Sequence, residues 1–88
     1  MSKCEKLLEK AKSSPNNLRF TELCKLAECY GFDFRRQDGT SHQIYSHTLL
    51  HPSIGGHQDF QSDGGKAVPY QVRQLLRAID ALENLKDE

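Results

Sequence analysis

The sequence has no tryptophan, one methionine and three prolines, and only 36% of its 88 residues are hydrophobic. A thick core is excluded. A chain of this size buries roughly 60–65% of its unfolded surface, so a few elements share one thin core in a single domain over residues 1–88. Net charge is absent too: 12 Lys and Arg balance 12 Asp and Glu, which argues against a tight, sequence-blind polyanion binder. Long apolar runs are missing, so no signal peptide or membrane span is expected, and the reading is a cytoplasmic protein without a membrane partner. Cysteine is scarce and odd in number. Cys4, Cys24 and Cys29 show no CxxC spacing, which predicts reduced thiols rather than a disulfide framework or a Cys-only zinc site.

What is present is patterning. Cys4, Leu7, Leu8 and Ala11 fall at i, i+3, i+4 and i+7, the stripe of an amphipathic helix over residues 2–13. Ser13-Ser14-Pro15-Asn16-Asn17 stops it. A second helix is predicted over 21–30, with Leu23, Cys24 and Ala27 inward, Thr21 as N-cap and Gly31 closing it in the left-handed conformation. The period then changes to two. Phe32 and Phe34 alternate with Asp33 and Arg35, Asp38-Gly39 signals a hairpin turn, and residues 41–46 return. A loop over 47–56 leads to a third strand over 57–62, centred on Phe60 and ended by Asp63-Gly64-Gly65. Pro69 opens a last helix whose stripe is Val72, Leu75, Leu76, Ile79 and Leu82. The expected fold is α+β, with helices covering one face of a three-stranded antiparallel sheet.

Gly39-Thr40-Ser41-His42, following the Arg35-Arg36 strand, resembles the Gly-Ser-His signature of HicA-type toxins. The segment 19–26 before it and the stretch from Gly64 to Leu75 after it resemble the family's framing. The resemblance covers about residues 18–80, with Thr40 inserted in the signature. It implies a double-stranded-RNA-binding-domain-like α-β-β-β-α core over 18–86, with an additional N-terminal helix over 1–14. It further implies an endoribonuclease that cleaves mRNA and is neutralised by a HicB-like antitoxin. His42 falls on the family's catalytic histidine.

Imidazole suits such chemistry because its unperturbed pKa, about 6.5, lets it take a proton from a ribose 2′-OH near neutral pH. Neither metal nor cofactor is then required. Cations must stabilise the charge that grows on the phosphoryl oxygens. Arg35, Arg36 and Lys66 are the candidates, and Arg73 is a further candidate for holding RNA. Each has an ordinary alternative: a histidine at a strand start often bonds a backbone carbonyl, and Arg73 or Arg77 can pair with Asp80. Strand alternation groups His42 with Ile44 and Gln43 with Tyr45. If Ile44 is core, His42 lies at the rim of that face. His47, His51 and His57, with Asp59, offer a metal reading, but their spacing matches no zinc motif and solvated loop side chains are the simpler expectation. A non-catalytic RNA-binding module of the same fold is the alternative function. A degenerate toxin fold kept as a protein-interaction element is a third.

Overall fold

The computed structural model describes residues 2–39 and 42–86. Helix α1 (Lys3–Ser13) starts where the Ser2 hydroxyl accepts the Glu5 N–H at 3.2 Å. Its stripe is turned inward, with Ala11 buried and Leu7 and Leu8 packed against the core. Helix α2 (Phe20–Cys29) is capped by Arg19, two residues before the predicted Thr21 cap. Arg19 is the extended N-cap, and the Glu22 carboxylate accepts its backbone N–H at 3.0 Å, half of a capping box. Gly31 closes α2 as expected, at φ +91°. The Gly31 N–H bonds the Glu28 carbonyl at 3.2 Å and the Phe32 N–H bonds the Ala27 carbonyl at 3.0 Å, the two bonds of a Schellman motif.

The cysteines depart from the sequence expectation. Cys4 and Cys29 form a disulfide, their Cα atoms 5.7 Å apart, and Cys24 alone is free. The two partners stand 25 residues apart in sequence, so no local spacing betrays them. Packing α1 against α2 brings the start of one helix to the end of the other.

The sheet has four antiparallel strands, not the three predicted, in the order β1-β2-β3-β4: Asp33–Asp38, His42–Ser46, His57–Asp63 and Lys66–Ala67. Gly64 and Gly65, both at positive φ, turn the chain back after β3. The short β4 then pairs with the end of β3. It is held from the other side by the Ala67 N–H on the Leu18 carbonyl at 2.9 Å and the Phe20 N–H on the Gly65 carbonyl at 3.0 Å. Two residues leave no periodic signal to read. Helix α3 (Pro69–Lys86) follows at the predicted proline, burying Val72, Leu75, Ile79 and Leu82. The architecture is α+β, with three helices and one antiparallel sheet.

Residues paired across antiparallel strands share a face, so the register sorts the sheet. Tyr45 and Phe60 belong to the core cluster, their rings 5.3 Å apart. They fix the Gln43–Tyr45 side of β2 as the helix-covered face. His42, Ile44 and Ser46 therefore stand on the opposite face. The alternation is the one the sequence predicts, but the core takes Tyr45. Ile44 is buried outside that cluster, flanked directly by Arg36 on β1 and Asp59 on β3.

Candidate functional site

A β-bulge decides which arginine joins His42. Phe34 pairs with Tyr45, yet Arg36, two residues on, pairs with the adjacent Ile44. Arg35 is the extra residue. In an unbroken strand Arg36 would share the face of Phe34. The bulge moves it to the face of His42 and Ile44, one position diagonally from His42.

His42 lies directly between Asp38 on β1 and Gln61 on β3. Its Nδ1 is 2.9 Å from Asp59 Oδ1, a diagonal neighbour on β3. A carboxylate only accepts, so the proton of the neutral ring sits on Nδ1 and the Nε2 lone pair is left available. Both side chains are partly open to solvent, at 41% and 44%. The imidazole is oriented without being sealed. β3 is itself held where β4 ends, because the Gln71 Oε1 of α3 accepts the Gln61 N–H at 2.7 Å. Sequence reasoning named Asp59 only as a metal ligand and missed this role. The signal was there: with Phe60 inward, Asp59 points outward.

Of the cations expected from sequence, the structure brings two to this face. Arg36 is placed by the bulge, and Lys66 pairs with Asp63 at the far side of the sheet while Ala67 turns into the core. Arg35 sits in the bulge itself. Arg73 is exposed on α3, in the layer that covers the other face. The face carries both signs, since Asp38, Asp59 and Asp63 share it.

Two of the remaining histidines, His47 and His51, have local work. Nε2 of His47 donates to the Tyr30 carbonyl at 2.9 Å and its Nδ1 accepts the Leu49 N–H at 3.0 Å, which fixes its tautomer and ties the loop to the end of α2. His51 Nδ1 accepts the Ser53 N–H at 3.1 Å, capping the 3₁₀ turn Pro52–Ile54. Among the described residues no three His, Cys, Asp or Glu side chains gather as a metal set. Burial pushes the Cys24 thiol above its ordinary range, which favours the protonated thiol over the thiolate. Among the described residues no helix is long and apolar enough to cross a membrane.

Comparison with protein-family models, curated proteins and solved structures finds no match to this chain.

Proposed function

We propose that the protein is an endoribonuclease of the HicA type, acting through His42 without a metal. The observation that carries the reading is the Nδ1–Oδ1 contact of 2.9 Å between His42 and Asp59, both partly exposed, on the sheet face opposite the core cluster. Such a pair presents a correctly tautomeric base to solvent. In this reading His42 Nε2 removes the proton of a ribose 2′-OH as its oxygen attacks the adjacent phosphorus. The P–O5′ bond breaks, and the imidazolium or a water returns a proton to the leaving oxygen. The products are a 2′,3′-cyclic phosphate and a 5′-hydroxyl. Asp59 stabilises the imidazolium, and Arg36 faces the phosphoryl oxygens as their charge grows.

Helices α2 and α3 against an antiparallel sheet, with α1 packed on those two helices, are compatible with a double-stranded-RNA-binding-domain-like frame. The mixed charge of the His42 face favours cleavage by positioned groups over retention by phosphate attraction alone, which is why the catalytic reading stands above a purely binding module. mRNA is the proposed substrate, and a HicB-like antitoxin covering His42 is the proposed inhibitor. The test is to express the protein and its His42→Ala variant, following growth and RNA integrity. Growth arrest and cyclic-phosphate ends are expected from the first only. If both variants leave growth and RNA intact, the proposal fails.

A further inference from the structure

The turn after Leu50 rests on α3. Gly55, at φ +103°, comes so close that a Cβ there would stand 2.8 Å from the Ala78 Cβ. Beside this contact, turn and helix enclose a cavity of about 400 Å³ lined by Pro52, Ile54, His57, Gln58, Gln74 and Arg77, among others. Its size is within the range of small-molecule sites.

The informative side chain is Gln58, buried to 4% exposure. Its Nε2 donates to the Gly55 carbonyl at 2.9 Å, and because a carbonyl only accepts, this fixes which end of the amide is which. Oε1 then faces the other way and accepts no hydrogen bond from the described residues. It is not sealed off either, because among the described residues no fully buried side-chain N or O lacks a partner. Gln58 thus brings to the cavity wall an amide that offers an oxygen no described residue bonds. Gln74 and Arg77, three apart on α3, add an amide and a cation. Pro52 and Ile54 supply apolar wall. His57 lines the cavity and, by its pairing with Ser46, shares the sheet face of His42. The two sites lie about 13 Å apart along β3, at roughly 3.3 Å per residue.

We propose that this cavity binds one unpaired nucleotide. An amino group of the base donates to Gln58 Oε1, the ring lies against Pro52 and Ile54, and the phosphate meets Arg77. The choice of ligand class rests on the ribonuclease reading, in which a strand crossing the His42 face reaches His57. Binding of a mononucleotide requires no cleavage, so the two ideas fail separately.

The test is a titration of the ¹H–¹⁵N spectrum with AMP, with purine riboside 5′-monophosphate (the same ring without its amine) and with inorganic phosphate. AMP is expected to give saturable shifts confined to residues 53–58 and 74–78. The amine-free analogue should bind about tenfold more weakly, a difference of about 1.4 kcal/mol. Arg77→Met should weaken AMP by a similar factor, and His42→Ala should leave it unchanged. Gln58→Met risks freeing the turn, so the analogue carries the comparison. Equal affinity for AMP and the analogue, equal shifts with phosphate, or no saturable shift at the cavity would each overturn the proposal.

Discussion

Asp59 Oδ1 lies 2.9 Å from His42 Nδ1, across adjacent strands and seventeen residues apart in sequence. Only the β2–β3 register brings them together, one step diagonally on the face opposite the core cluster. Replacing the carboxylate by an amide leaves a hydrogen-bonding shape but permits the wrong imidazole tautomer. Asp59→Asn is expected to lower kcat for RNA cleavage by about 10²-fold, with KM changed by less than about threefold. His42→Ala should abolish cleavage. Steady-state kinetics on an RNA substrate checks both, and an Asp59→Asn enzyme with unchanged kcat would refute the positioning role.

The bulge separates two neighbouring arginines by function. Arg36 shares the face of His42, while Arg35 is the inserted residue. Arg36→Ala should reduce kcat/KM by about tenfold or more, and Arg35→Ala by less than about threefold. Single-turnover rates of the two variants decide this, and a larger loss at Arg35 would contradict the assigned faces.

The Cys4–Cys29 bond closes 25 residues of sequence separation. On a chain-entropy basis such a closure contributes about 3 kcal/mol. Cys4→Ser, or reduction of the wild-type chain, should lower unfolding stability by about that amount in a denaturant titration. Cleavage by the remaining folded fraction should not change, because the bond lies among the helices and His42 on the opposite face.

Lys10 Nζ lies 2.8 Å from Glu22 Oε2 and joins α1 to α2. That hydrogen bond, foremost, holds the Glu22 carboxyl below its ordinary value of 4.5, against the opposing effect of burial. A lowered folded pKa means that its contribution is complete above pH 4.5 and is lost as pH falls through the lower folded value. Lys10 is largely exposed, so the pair is worth a surface amount. Glu22→Gln should cost about 0.5–1 kcal/mol near neutral pH. The gap between variant and wild type should close towards about pH 2, as unfolding curves at the two pH values will reveal.

Much of the frame was legible because it repeats. The stripe from Val72 to Leu82 spans most of α3, and Gly31 announced the end of α2 through the one backbone conformation a side chain disfavours. β4 was not legible, since Lys66–Ala67 is too short to alternate and is held by the Leu18 carbonyl and the Phe20 N–H from elsewhere in the chain. Nor was the face of Arg36, because a bulge is set by pairing and strict alternation assigns the opposite side. On β2, Ile44 and Tyr45 are adjacent side chains that a core can each take, and the contact of the Tyr45 ring with Phe60 selects the inward one. The candidate histidine was thus visible from sequence and its carboxylate partner was not. The Thr40 insertion noted in the sequence lies outside the described residues.

The disulfide makes α1, the turn at Pro15–Asn17 and α2 one covalent ring. A protease that nicked the exposed Asn16–Asn17 bond would open the ring without shedding its N-terminal part, which would stay tethered to Cys29. Detachment needs a cut and a reductant together. The N-terminal helix, packed on α2 and α3, is therefore also tied to them covalently, and its release is conditional on the thiol balance around the protein.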